Sequence, residues 1–156
     1  MLRVSGFKVI CTRTDDSSTE SDPSATIGAR KRSDLNNRLK ILKQNPDAIL
    51  VSIHLNKFSS PSAKGAQMFY APKNHKAKKL AECLKNSVKN QLQNENHRTV
   101  KAGTKSTFLL YYSPIPAVIA ECGFMSNETE FSLLYDLAVD LSKRASRVSL
   151  IRIYMH

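Results

Sequence analysis

AILVSI, residues 48–53, is an almost unbroken apolar run, and the residue that follows it is His54. A strand with one wet face alternates apolar and polar side chains. A run this continuous reads instead as a strand covered on both faces, as in a parallel sheet layered between helices. Upstream, residues 33–43 place Leu35, Leu39 and Leu42 on one face of a helix, and Pro46 lies just past its end, where prolines often follow helices. Residues 8–12 (KVICT) read as a further strand, and the polar stretch 15–25 (DDSSTESDPSA) reads as an exposed loop. Downstream, residues 59–65 (SSPSAKG) read as a second loop and residues 66–70 as a strand. A long helix follows over residues 75–93, with Ala77, Leu80, Ala81, Leu84, Val88 and Leu92 at helical spacing. Residues 107–111 and 117–120 are two more short strand candidates. Asn127 and Glu130 have capping-box spacing ahead of a last helix through Leu134, Leu137, Ala138, Leu141 and Ala145. Strands alternating with helices predict an α/β fold, a mainly parallel sheet flanked by helices. In such sheets ligands collect at the carboxyl ends of the strands.

Residues 1–156 are expected to form a single domain, long enough to bury most of its apolar surface without staples. Hydrophobic residues make up 41% of the chain, yet no stretch approaches the roughly 20 apolar residues that span a bilayer. Residues 1–6 (MLRVSG) carry no apolar run and no small-residue cleavage site, so they do not read as a secretory signal. Cys11, Cys83 and Cys122 follow neither a zinc-knuckle spacing nor a disulfide framework, and are expected as three small buried hydrophobes. The net charge of +11, from 24 basic and 13 acidic residues, favours polyanionic partners without choosing among them. The bases between Lys73 and Lys89 lack interleaved aromatics, so they read as a solvated helix face, and no nucleic-acid partner is expected.

Two strand candidates end in reactive groups. Residues 48–53 run into His54, and residues 117–120 run into Glu121. Burying an unpaired charge is expensive, so residues in such places have either a partner or a function. The structural alternative is a core histidine bonded to a backbone carbonyl and a glutamate paired with one of the many bases.

The flanking residues carry a resemblance. Ser52-Ile53-His54-Leu55-Asn56 and the segment Ile119-Ala120-Glu121-Cys122-Gly123-Phe124-Met125-Ser126-Asn127 resemble two signature segments of the zinc-dependent N-acetylmuramoyl-L-alanine amidases. Residues 6–13 (GFKVICTR), 64–70 (KGAQMFY) and the proline-containing turn 112–117 are similar to further family segments, in the same order. The resemblance covers residues 3–134 and is strongest to amidases of spore-forming bacteria that act on the spore cortex. It implies a zinc-amidase/phosphorylase-like fold and hydrolysis of the amide between N-acetylmuramic acid and L-alanine of peptidoglycan. It further implies one Zn2+ ion, with His54 as a metal ligand and Glu121 as the catalytic general base, acting outside the cytoplasmic membrane at the cell wall or spore cortex. Zinc lowers the pKa of a bound water to roughly 7 and polarises the carbonyl, which an unreactive amide requires.

The family's other two ligands, a histidine in an Asp-Pro-Gly-His-Gly segment and a glutamate on the next helix, are not in this sequence. The resemblance therefore implies a partial catalytic domain lacking the first strand and most of the first helix, with too few ligands for a stable zinc site. Beyond residue 135 the match fades. The alternative reading is a non-catalytic cell-wall or polyanion-binding fragment of a degenerate amidase. His75, His97 and His156 lie outside the family motifs and are expected to be solvated. A nucleophilic pair of Cys122 with His54 is a lesser candidate, because neighbours along a strand point to opposite faces and Glu121 already claims one of them. Arg38 is expected to pair with an acid or stay solvated, and Asn56 to tie down the loop after its strand. Lys101 and Lys105, near Gly103, read as an exposed polar loop or, alternatively, as part of a groove for an anionic glycan.

Overall fold

Thr26 opens the first helix. Its Oγ1 accepts from the Ala29 amide at 3.4 Å, a side-chain cap on helix α1 (Ile27–Lys43). The computed structural model describes residues 3, 5–12, 18–133, 135, 154 and 155. After α1 come strands β1 (Leu50–Asn56) and β2 (Gln67–Tyr70), helix α2 (His75–Leu92), strand β3 (Lys101–Ala102), helix α3 (Phe108–Tyr112), and strands β4 (Ala117–Phe124) and β5 (Tyr154–Met155). Residues 128–133 are also helical.

The strands form one sheet in the order β3-β2-β4-β1-β5. Three of its four pairings are parallel, and β2 runs antiparallel to β4. The sheet is therefore mixed. Between β1 and β2 the described chain has only an irregular loop, residues 57–66, with no helix to carry it back across the sheet. The chain consequently re-enters the sheet in the reverse direction.

Alternation along β4 divides the core. Val118 and Ala120 join Met68 of β2 against Ala81 of α2, with Leu80, Leu84 and Val88 packed around them. Ala117 lies with Leu110 of α3, and Leu50 and Ile119 pack against that group. Leu39 and Leu42 of α1 close over Ile115. Leu110, Ile115 and Val118 are the largest fully buried side chains. Each contributes roughly 1.5–3 kcal/mol by leaving water. Gly103 sits where the chain leaves β3, and a Cβ there would meet Thr107 Oγ1 at 2.7 Å and Leu110 Cβ at 2.9 Å.

Several sequence expectations change. Helix α1 starts at Ile27, not at residue 33, because its first turns bury nothing (Ile27 is 84% exposed) and so leave no apolar signal. Residues 107–111, expected as a strand, belong to the cap and body of α3. Aromatic and β-branched content suggested a strand, but five residues are too few for helical periodicity to appear. Helix α3 stops at Ser113, whose ψ of 127° is the extended conformation that Pro114 imposes on the residue before it. Residues 8–12, also expected as a strand, form none, and no described strand pairs with them. Cys11 and Cys83 are exposed and Cys122 is half-buried, so the expected burial of all three does not hold. Leu92 closes α2 beyond the packed region and is 77% exposed. Of the last expected helix, Leu134, Leu137, Ala138, Leu141 and Ala145 lie outside the described residues.

The polar stretch before α1 is not loose where it is described. Asp34 Oδ1 accepts from the amide and hydroxyl of Thr19 at 2.8 and 2.7 Å, Arg30 pairs with Glu20 at 2.7 Å, and Asn37 donates to the Thr19 carbonyl. Burial pushes the Asp34 carboxyl up, but hydrogen bonds from Thr19 and Arg38 outweigh it and leave Asp34 below the usual carboxylate range. Among the described residues no helix is long and apolar enough to cross a membrane.

Candidate active site

The parallel register of β1 and β4 sets His54 directly beside Glu121. On the other side of Glu121 stands Gln67 of β2, and on the far side of His54 stands Tyr154 of β5. Residues opposite one another in a sheet share a face. His54, Glu121 and Gln67 thus share the face of Leu50 and Ile119, not the face that α2 covers. Neither His54 nor Glu121 ends its strand, as the sequence had suggested: β1 continues through Asn56 and β4 through Phe124. Between His54 and Asn56 the register slips, so that Asn56 pairs with Phe124 and β4 carries an extra residue just past Glu121. Such a bulge bends the strand and re-aims nearby side chains.

Burial raises the Glu121 carboxyl above its ordinary value. Its Oε2 is buried and has no hydrogen-bond partner among the described residues. His54 Nε2 lies 2.8 Å from Ser52 Oγ. Gln67 is only 3% exposed, and its amide nitrogen donates to the carbonyls of Thr99 and Met68 at 2.6 and 3.3 Å. The site is therefore a desolvated carboxyl flanked by an imidazole and an anchored amide. This arrangement suits a group that takes up and gives back a proton more readily than an exposed carboxylate does.

Cys122 packs toward the α2 side with the Val118 cluster, on the opposite face from His54. Burial first, and the charge of Glu121 second, push its thiol up. Both effects disfavour a thiolate, which removes the Cys122–His54 pair as a nucleophilic site.

The loops around this end of the sheet are tied together by side chains. Asn127 caps the 128–133 helix by accepting from the Glu130 amide at 3.1 Å. The reciprocal half of the expected capping box is absent. Glu130 instead spreads its two oxygens between the Gly65 and Phe124 amides, at 2.7 and 2.8 Å. Gly65 has φ +87°, a left-handed backbone that glycine adopts without strain. Gln93 Oε1 accepts from Ala66 N at 2.7 Å and from Asn96 at 2.9 Å. Arg98 donates to the Lys64 carbonyl and lies over the Phe124 ring, 4.8 Å from its centroid. None of Gln67, Gln93, Asn96 or Arg98 stands out in the sequence. Their contacts cross to distant loops, and no local spacing announces that.

The remaining candidates resolve as follows. Arg38 pairs with Asp34 at 2.9 Å, one turn away on α1. Asn56 accepts from the Lys57 amide at 2.8 Å and so ties down the loop after β1. Lys101, Lys105, His75 and His97 are exposed, and His156 lies outside the described residues. Among the described residues no three His, Cys, Asp or Glu side chains gather closely enough to hold a metal ion. A catalytic zinc ion normally takes three protein ligands. The described donor set, one imidazole beside one carboxyl, does not by itself fit such an ion.

Fold and site together define an α/β protein with a carboxyl and an imidazole side by side on the central strands of a mixed sheet. The family model for N-acetylmuramoyl-L-alanine amidases matches residues 1–146, and the chain belongs to that family. It is 29% identical over 133 residues to the germination-specific N-acetylmuramoyl-L-alanine amidase of Bacillus subtilis (strain 168), covering 85% of this chain and 55% of that protein. The chain thus spans about half the length of the curated relative it matches. Among solved structures it is similar to the CwlD amidase of Clostridioides difficile in complex with the GerS lipoprotein. The TM-score there is 0.79 and the identity 37%, over 85% of this chain and 68% of that one. The catalytic domain of CwlV from Bacillus (Paenibacillus) polymyxa var. colistinus shares the fold, with a TM-score of 0.58 and 23% identity over 84% of this chain and 63% of that one.

Proposed function

We propose that the described residues form one catalytic domain that hydrolyses the amide between N-acetylmuramic acid and L-alanine of peptidoglycan. Glu121 acts as general base and His54 as a zinc ligand. The observation that carries this reading is the half-buried Glu121 carboxyl, raised by burial and set beside His54 by strand register. A carboxyl so placed takes a proton from the attacking water and hands it to the departing alanine nitrogen. The same desolvation that raises its pKa makes it a stronger proton acceptor than an exposed carboxylate. Zinc enters the proposal as one ion that His54 helps to hold. The further ligands do not lie among the described residues, so the proton transfers belong to Glu121 alone. Such a substrate places the protein outside the cytoplasmic membrane, at the wall or spore cortex.

A second reading, wall or polyanion binding without turnover, is favoured by the +11 charge and by the lack of a three-ligand cluster among the described residues. One experiment separates the two. The chain is incubated with purified peptidoglycan and zinc, and newly exposed N-terminal alanine is quantified. The amidase reading expects alanine amino groups to appear, with Glu121→Gln lowering the rate by about 10²–10⁴-fold. Salt-sensitive co-sedimentation with no new alanine amino groups would overturn it in favour of binding.

A further inference from the structure

Phe124 is the third residue after Glu121, and strict alternation would put it on the opposite face of β4. The bulge reverses that. Phe124 pairs with Asn56, which stands two residues after His54 and so on the face of His54 and Glu121. Arg98 lies over this ring, 4.8 Å from its centroid. Its Nε donates to the Lys64 carbonyl at 2.9 Å, and its backbone amide donates to Asn96 Oδ1 at 2.9 Å. On the β2 side of Glu121, the Gln67 amide nitrogen donates at 2.6 Å to the carbonyl of Thr99, the residue after Arg98. These contacts set the Arg98 guanidinium on the face, and toward the end of the sheet, where Glu121 and His54 lie. Three residues of strand span about 10 Å.

The guanidinium is fixed but not neutralised. Arginine has five N–H donors in a planar fork, and the Lys64 carbonyl takes one of them. Among the described residues no carboxylate forms an ion pair with Arg98, and its two terminal nitrogens meet no hydrogen-bond acceptor. Glu130 is the acid that reaches these same segments, and both its oxygens are taken by the Gly65 and Phe124 amides. A half-buried fork held by a ring on its face and a carbonyl at Nε keeps its terminal nitrogens for a two-point bond to a carboxylate.

We infer that Arg98 is a substrate-binding residue, whose terminal nitrogens take a carboxylate on the peptide part of the substrate. The choice of a peptide as carrier of that carboxylate rests on the amidase reading. An extended peptide advances roughly 3.3–3.6 Å per residue, so the span from Glu121 to Arg98 sets the carboxylate about three residues beyond the scissile amide.

The test reads binding, not turnover. N-acetyl-tri-L-alanine carries an acyl-alanine amide at one end and a free carboxylate at the other, and its C-terminal amide lacks the charge. Each is titrated without zinc into 15N-labelled protein, and the NMR shifts give Kd. The acid should bind wild type roughly 10–100-fold tighter than the amide, and the Arg98 Nε–H signal should move with the acid only. Arg98→Lys, a charge without the fork, should lose most of that preference and Arg98→Met all of it, with the amide's affinity unchanged. A wild type that binds both peptides equally, or neither, overturns the proposal. So does an Arg98→Met variant that keeps the preference, or one that weakens both peptides alike as a structural brace would. Should a variant fail to fold, the Arg98 signal of the wild type still decides. Selective binding without cleavage of peptidoglycan would sink the amidase reading alone, and cleavage with unselective binding would sink this inference alone.

Discussion

Glu130→Ala removes one carboxylate and with it two backbone hydrogen bonds. Oε1 holds the Gly65 amide at 2.7 Å and Oε2 holds the Phe124 amide at 2.8 Å. Those amides belong to different segments, one in the loop leading into β2 two residues before Gln67 and one at the last residue of β4, three residues after Glu121. A hydrogen bond to a charged acceptor contributes about 1.5–3 kcal/mol net. Glu130 is half-buried, so the lower end applies. Two bonds then amount to about 3 kcal/mol. The helix cap is not part of the loss, because Asn127 binds the Glu130 backbone amide, which alanine keeps. In a chain of this length, about 3 kcal/mol lowers Tm by roughly 6–12 °C. Glu130→Gln keeps one acceptor oxygen but turns an amide donor toward the other N–H, so its loss should fall between wild type and alanine. Urea unfolding followed by circular dichroism, with the slope checked for constancy, measures this directly. A Glu130→Ala loss under about 0.5 kcal/mol, the range of ordinary surface changes, would refute the bracing role. Equal losses for the glutamine and alanine variants would refute the argument from two acceptor oxygens.

Two further outcomes are expected. The folded pKa of Glu121 lies above its unfolded value, so the folded state holds the extra proton between the two. The contribution of Glu121 to stability is therefore fully present below the unfolded value and is lost as pH rises through the folded one. Urea midpoints of wild type minus Glu121→Gln should accordingly fall as pH climbs from about 4 toward neutrality, and a flat or rising difference would contradict the burial of this carboxyl. Gly103→Ala would put a Cβ 2.7 Å from Thr107 Oγ1 and 2.9 Å from Leu110 Cβ, and Leu110 is fully buried. Overpacking of that kind costs about 1–3 kcal/mol, and an unfolding midpoint equal to wild type would show that the contact yields freely.

The two central strands are legible because residues 48–53 and 117–120 are continuously apolar, but only β4 is covered as that pattern suggests: at β1 the face of Ile49 and Val51 stays exposed. What lies beyond the two runs is not legible. Leu55-Asn56 and Cys122-Gly123 look like loop chemistry in isolation, and they extend the strands only because each supplies the other's hydrogen bonds. The bulge after Glu121 is likewise a property of the pair. Glu130 is visible at capping-box spacing, but its carboxylate finds use between the loop before β2 and the end of β4 rather than at its own helix start. The aromatic run of α3 misleads because tertiary packing against Leu39, Leu42 and Ile115 decides its conformation, and no short window contains those partners.

The position of Glu121 has a physical consequence of its own. A buried carboxyl oxygen without a hydrogen-bond partner among the described residues is a net cost to the fold. Glutamine has nearly the same shape, is neutral, and would remove the charge penalty at once. An acid there, on the face shared with His54 and inside a sheet tied to its loops by Glu130, Gln93 and Arg98, is what a site looks like when a local cost is held by its surroundings. On that argument Glu121→Gln should separate the two properties in a single variant: the cleavage of peptidoglycan falls while the fold at neutral pH does not. A variant that lost both together would mean that the carboxylate serves the fold, and that its place beside His54 is incidental.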